Sequence, residues 1–307
     1  MQEADLSALD PQARRFLAMV ALGGRGGSVG IEERRRGFAK LMQFSKPPAA
    51  RVAASDSSIP VGDRAIPIRL YGAEGPGGLI YFHGGGLVAG GLETHDALCR
   101  TLAHGAGCRI VSVDYRLAPE HPFPAAIVDA LLATRFVLRN AAALGVDPRR
   151  VAVGGDSGGG TLAAIAADVF GRRGRLRAQV LLCPALDFAG ASASRETFAN
   201  GFLLDASTLA ADLVHYAPQR PLEDRRISPL RAADLAGLPT TILHTAAFDP
   251  LVDEGRAYAR RLAEAGVDVR YREHATLMHH FYALNGVVPA AQVALDGIAR
   301  DIAEVLA

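Results

Sequence analysis

The residues able to do chemistry in this chain gather around one stretch, RVAVGGDSGGGTLAAIAADVF, from Arg150 to Phe170. Val151 and Val153 alternate with small residues, as in a short buried strand. Gly154 and Gly155 follow, then Asp156-Ser157-Gly158-Gly159-Gly160, then an Ala/Leu/Ile run at helical spacing from Thr161 to Phe170. The order is strand, tight turn, helix, with Ser157 at the corner in a G-x-S-x-G match. A serine on such a turn is lifted clear of the sheet, where its hydroxyl can act as a nucleophile. The helix N-terminus behind it favours negative charge developing there. By itself the turn could equally bind a phosphate, so the rest of the chain has to decide.

A serine needs a base within hydrogen-bond reach, and the base needs an orienting carboxylate. Asp249 follows the strand-like TTILHTAAF, and His279 lies just beyond VDVRYRE. Six of the nine histidines (83, 95, 104, 121, 215 and 244) precede Asp249, which leaves His274, His279 and His280. His274 is still close to the strand and is the weakest of the three. His279 and His280 are adjacent and point in different directions, so only one can serve. Asp253 and Glu254 compete with Asp249 for the acid but suit the first turn of the next helix. The order Ser157, Asp249, His279 is that of α/β-hydrolases. A second glycine run, His83-Gly84-Gly85-Gly86, ends another strand-like segment. Backbone N–H groups in such a loop can stabilise a tetrahedral oxyanion, and losing one donor typically costs about 2.7–4 kcal/mol in the barrier.

The elements that must position these groups follow from periodicity. Strands are predicted at 65–71, 79–82, 109–113, 150–153, 179–182, 240–245 and 267–271, and helices at 96–104, 125–144, 161–170 and 289–306. Gly72–Gly78 reads as a turn and residues 45–56, with Pro47-Pro48, as a linker. Strands alternating with helices mean a mostly parallel sheet covered on both faces, with ligands at the carboxyl ends of the strands. Residues 1–45 read as two amphipathic helical pieces joined by GGRGGSVG (23–30), and 188–222 as a helical insertion carrying Phe198, Phe202, Leu203, Leu204, Leu209, Leu213 and Tyr216. These two segments are expected to form a cap over a catalytic core of residues 46–187 and 223–307. The greasy cap suggests an apolar substrate portion, although packing within the cap explains the same residues.

The blocks HGGG (83–86), DYRLAPEHPFPAA (114–126), GDSGGG (155–160), SPL (228–230), DPLVDEG (249–255) and MHHF (278–281) together resemble the bacterial carboxylesterases of the hormone-sensitive-lipase type. The resemblance implies an α/β-hydrolase fold with a helical cap. It implies Ser157 as nucleophile, Asp249 as acid and His279 as base, with oxyanion donors at Gly85, Gly86 and Gly158. It implies hydrolysis of short-chain acyl esters without metal or cofactor. The chain departs from the family pattern at three points: Gly158 replaces an alanine, His280 replaces a glycine, and Leu87 stands where an aromatic is common. The expected substrate pocket comprises Leu87, Phe202, Leu203, Leu204 and Leu209. Alternatives are a specialised deacetylase of a sugar or natural product, and a non-catalytic small-molecule receptor on the same scaffold. The base must be neutral, so activity is expected to fall as pH drops through about 6–7.

Composition bounds the rest. A chain of 307 residues, half of them hydrophobic, can bury a sizeable core. A net charge of +1 argues against nucleic-acid partners. There is no apolar run of membrane-spanning length, and no signal peptide is visible in MQEADLSALDPQ. Three cysteines without metal-ligand spacing suit a reducing cytoplasm. A homodimer through the last strand and helix is compatible with the sequence.

Overall fold

Every residue of Gly78–Phe82 (β3) and of Val151–Asp156 (β5) is buried, and the two strands lie side by side in parallel with Phe82 opposite Gly155. This pair is the centre of the computed structural model, which describes residues 5–22, 30–72 and 77–307. The remaining strands are Ala54–Val61 (β1), Arg64–Gly72 (β2), Arg109–Val113 (β4), Ala178–Leu182 (β6), Thr240–Phe248 (β7) and Val269–Met278 (β8). Among the described residues these eight strands form one sheet in the order β1-β2-β4-β3-β5-β6-β7-β8, with β1 and β2 antiparallel to their neighbours and the rest parallel.

The helices are Pro11–Leu22 (α1), Ile31–Met42 (α2), Asp96–Ala106 (α3), Ala125–Asn140 (α4), Gly158–Phe170 (α5), Ala193–Thr197 (α6), Ala206–Tyr216 (α7), Val252–Glu264 (α8) and Pro289–Leu306 (α9). Helix α3 packs on α9, and α4 on α5, so both faces of the sheet are covered. Strand order reverses around β3, and the crevice at such a reversal is where open α/β sheets bind ligands.

Several expectations need correction. The supposed linker already contains the start of β1. That strand is an edge strand with Ile59 as its one buried residue, so ASDSSIPV lacks the alternation that marks a half-buried strand. Two prolines are tolerated in this hairpin, Pro60 opposite Ala65 and Pro67 opposite Ser58. Helix α4 ends at Asn140, with a separate turn of 3₁₀ helix at Ala142–Leu144 before the left-handed Gly145. The last strand begins two residues later than expected and runs on to Met278, so His274 sits within it. The glycine turn expected at 23–30 and the turn expected at 72–78 fall largely outside the described residues.

Candidate active site

The adjacency of β3 and β5 brings together the two segments that follow them, His83–Gly86 and the Ser157 corner. Likewise β7 and β8 pair as far as Phe248 and Met278, so Asp249 and His279 emerge side by side. Ser157 takes a backbone of positive φ (φ 49°, ψ −120°), outside the regions side-chain-bearing residues favour. Three main-chain bonds hold it: its N–H donates to Leu182 O (2.9 Å), and its carbonyl accepts from Gly160 N (3.0 Å) and Ala185 N (3.0 Å). The turn closes because Gly159 has no side chain: a Cβ there would overlap the carbonyl oxygens of Phe82 and His83.

The imidazole of His279 spans the other two groups. Its Nδ1 lies 2.7 Å from Asp249 Oδ2 and its Nε2 3.2 Å from Ser157 Oγ. The second carboxylate oxygen of Asp249 accepts from Leu251 N at 2.8 Å. The short Nδ1–carboxylate contact places a proton on Nδ1 and leaves Nε2 as the acceptor facing the serine. Asp249 and His279 are wholly buried, and Ser157 is 6% exposed. The sequence left His279 and His280 competing; the geometry places His279 between acid and serine, with the His280 ring edge-on to it at 4.3 Å. Asp253 and Glu254 open α8, as expected, and lie off this chain of bonds.

The His83–Gly86 loop is set from beneath. Asp156 Oδ1 accepts from Gly84 N (3.0 Å) and from Tyr81 Oη (2.8 Å), and Tyr115 Oη donates to His83 O (2.6 Å). Burial opposes the charge on Asp156, yet His95 and Tyr81 hold its carboxyl below the ordinary value. Burial pushes His83 down to about 3, so that ring is neutral and works as packing, stacked on Tyr115 at 4.3 Å. The amides of Gly85, Gly86 and Gly158 have no acceptor among the described residues. They are close to one another, since the Cβ position of Gly158 is 3.4 Å from Gly86 N. Positive φ at Gly85 (115°) and Gly86 (66°) turns this loop as only glycine does readily.

Among the described residues, one trio could offer ligands to a metal ion: Cys183, Asp249 and His279, whose ligand atoms lie within 4.8 Å of each other. The histidine and carboxylate atoms in it are already bonded to one another. Burial first, and the Asp249 charge second, push the Cys183 thiol far up, so its sulfur stays protonated.

A cavity of about 1230 Å³ lies between the N-terminal helices and the insertion. Of the five expected pocket residues, Phe202, Leu203 and Leu204 line it. Leu87 and Leu209 do not. Leu87 is fully buried, with its Cγ 3.2 Å from the Cβ position of Gly158, so the leucine fills the space where a side chain at 158 would go. Leu209 packs against Ala185, Leu204 and Leu251 in a small separate cluster. The walls missing from the expectation come from α1 and α2 (Phe16, Leu17, Arg34, Phe38 and Leu41) and from His280. The amphipathic clusters around Phe16 and Phe38 were the available signal. Arg34 donates to both oxygens of Asp212, at 3.2 and 2.8 Å, joining α2 to α7. Asp212 is buried at the Cα of Gly86, in the space a Cβ would need.

The fold and the site define a serine hydrolase built on an α/β sheet. Residues 79–283 match the family model described as the alpha/beta hydrolase fold. The chain is 37% identical over 295 residues to the carboxylic ester hydrolase LipN of Mycobacterium tuberculosis, covering 91% of this chain and 78% of that protein. It is 36% identical over 307 residues to the ethyl acetate hydrolase of Pseudomonas putida, covering 94% and 96%. A thermostable esterase from Pseudomonas putida superposes with a TM-score of 0.92 at 32% identity, covering 99% of each chain. The chain belongs to the α/β hydrolase family, in its hormone-sensitive-lipase-type branch. It is a carboxylic-ester hydrolase. Among the described residues no helix is long and apolar enough to cross a membrane.

Proposed function

We propose that the protein hydrolyses short-chain acyl esters through an acyl-enzyme on Ser157, with His279 as general base and acid and Asp249 as its orienting carboxylate. The observation that carries this reading is the unbroken chain of hydrogen bonds Asp249–His279–Ser157. Ser157 Oγ attacks the ester carbonyl carbon as its proton passes to His279 Nε2. The carbonyl oxygen becomes an oxyanion facing the free amides of Gly85, Gly86 and Gly158. As the tetrahedral adduct collapses, His279 gives its proton to the departing alcohol. Water then attacks the acyl-enzyme by the same route, releasing the acid and restoring the serine. Asp249 holds the ring in the tautomer that leaves Nε2 free.

A short acyl group suits a serine that is only 6% exposed, and one relative is named for its action on ethyl acetate. The α1/α2 segment and the insertion act as a cap in this reading, since both contribute walls to one cavity. Residence in the cytoplasm is supported by three buried, free cysteines. A homodimer through β8 and α9 is supported by β8 being an edge strand of the sheet.

The test is hydrolysis of p-nitrophenyl esters from acetate to laurate by wild type, Ser157→Ala, His279→Ala and His280→Ala. Wild type should favour the short chains. Ser157→Ala and His279→Ala should each lose about 10⁴–10⁶ in kcat, and His280→Ala should lose far less. Undiminished turnover by Ser157→Ala would overturn the mechanism.

A further inference from the structure

His280 is unusual on three independent counts. Its backbone is left-handed (φ 63°), a conformation uncommon outside glycine. Its side chain is only 5% exposed, yet it lines the large cavity. Its ring also packs directly on the ring of His279. It is therefore the cavity wall that touches the acid–base imidazole.

The two ring nitrogens are in different situations. Nδ1 lies 2.9 Å from Tyr282 Oη. The Asp156 carboxylate also faces the phenol but lies beyond hydrogen-bond reach, so within that reach the phenol's partner among the described residues is this ring nitrogen. Burial, followed by the Asp156 charge, keeps it protonated far above its usual range. A phenol is the better donor and an imidazole nitrogen the better acceptor, so Tyr282 donates to Nδ1. The ring proton of His280 then resides on Nε2. Burial, the neighbouring His279 and the Arg34 guanidinium all hold His280 well below its ordinary value, so the ring is neutral. Its Nε2 has no protein partner among the described residues and is not sealed from solvent. A nearly buried N–H is thus left at a cavity wall, with the Phe38 ring 5.7 Å from its own ring and the Arg34 guanidinium as the charged group of the same wall.

We propose that His280 Nε2–H is a substrate-selecting donor, and that the enzyme favours esters whose alcohol portion carries an additional acceptor oxygen a few bonds from the ester. This rests on the esterase reading above. The alcohol side follows from the proton route: His279 delivers its proton to the departing alcohol oxygen, so the alcohol lies against that imidazole, and His280 packs on the same ring. An ether, hydroxyl or second carbonyl oxygen there accepts the N–H. A plain alkyl chain leaves the donor unpaired on desolvation, which costs affinity in the transition state.

The experiment compares 2-methoxyethyl butanoate with n-butyl butanoate, which differ by an oxygen in place of a methylene in the alcohol. The acyl-side control compares n-butyl methoxyacetate with n-butyl butanoate. The quantity read is the ratio of kcat/KM within each pair, for wild type, His280→Gly and His280→Asn. Glycine and asparagine both accept a left-handed backbone, and asparagine keeps an N–H donor. In wild type the alcohol-side ratio should exceed that of His280→Gly by about 2- to 10-fold, with His280→Asn in between, while the acyl-side ratio stays constant. Comparing the same ester pair across variants cancels the intrinsic effect of the methoxy group. An alcohol-side ratio equal in all three proteins overturns the proposal, as does a change confined to the acyl-side pair. A wild type inert on n-butyl butanoate and its methoxy analogues overturns the ester reading itself, a result distinct from an active enzyme with flat ratios.

Discussion

The floor that carries Ser157 and the helices that wall the cavity, its roof, are built on opposite plans. On the floor, α5 is buried without interruption from Gly158 to Ala167, and the turn before it is fixed by main-chain bonds and close backbone contacts. In the roof, α1 buries Ala13 and Phe16, α2 buries Phe38 and Met42, and α7 buries Asp212 and Tyr216. One of those few buried roof residues is charged and is matched by Arg34 from a helix 178 positions earlier in sequence. The difference teaches where each property resides. The chemistry depends on backbone packing that tolerates almost no added atom. On the proposed function, selection of the substrate falls to sparse side-chain contacts that can be altered one at a time.

The harshest test of that contrast is Gly159→Ala. A Cβ there meets two carbonyl oxygens of the His83 segment, and neither side of the contact can yield. It should lower stability by more than about 4 kcal/mol, read by chemical denaturation or by failure to accumulate as soluble protein. A variant that unfolds with the wild-type midpoint would show the floor to be looser than its packing implies.

A middle-sized effect is expected from Arg34→Met. It leaves the Asp212 carboxylate, already raised by burial, without its partner beside the Gly86 loop. The Arg34 side chain is 17% exposed, so the loss falls below the roughly 3–5 kcal/mol of a fully buried pair, and a roof with few other contacts can open locally instead of transmitting it to the core. KM should rise roughly tenfold with kcat and the global unfolding midpoint little changed. A collapse of kcat at constant KM would mean that this ion pair serves the chemistry, and the division between floor and roof would fail.

The smallest effect should come from the seam. Glu254 accepts from Leu186 N at 2.7 Å on the floor side and from Arg195 Nη2 of α6 at 2.8 Å on the roof side. Burial pushes its carboxyl up from the usual 4.5 to about 7, with Arg195 opposing part of that shift. A folded-state value above the unfolded one favours the neutral form. The stability it confers is full below about 4.5 and is lost as pH rises through about 7. Glu254→Gln mimics the neutral form, so its Tm should gain on wild type by a few degrees between about pH 5 and pH 8. A gain in the opposite direction would show Arg195 holding the ionised pair as the stable arrangement.

What could be read from the sequence follows the same division. The Ser157 corner, the glycines after His83 and the strand ends bearing Asp249 and His279 were legible because each couples a local backbone requirement to a residue type. The choice of His279 over His280 came from the family resemblance and not from the residue pattern, since adjacent residues differ only in where the chain turns them, and His280 takes a left-handed conformation that no pattern announces. Phe202, Leu203 and Leu204 were legible as apolar walls, whereas Leu87 and Leu209 share their chemistry yet face other packing. The pairing of Arg34 with Asp212 was invisible, because an ion pair between distant helices leaves no periodic trace. Strand β1 was missed because an exposed edge needs no alternation.

The glycine loop carries a consequence for experiment. In the proposed mechanism its donors are the amides of Gly85, Gly86 and Gly158, and atoms of Ala89, Asp212 and Leu87 crowd the sites where their side chains would begin. No side-chain replacement can delete one of these N–H groups and leave the rest in place. A conventional mutational scan would therefore score the loop as a folding element and be blind to its electrostatic work. That work becomes measurable only by editing the main chain itself, replacing a single amide by an ester through chemical ligation.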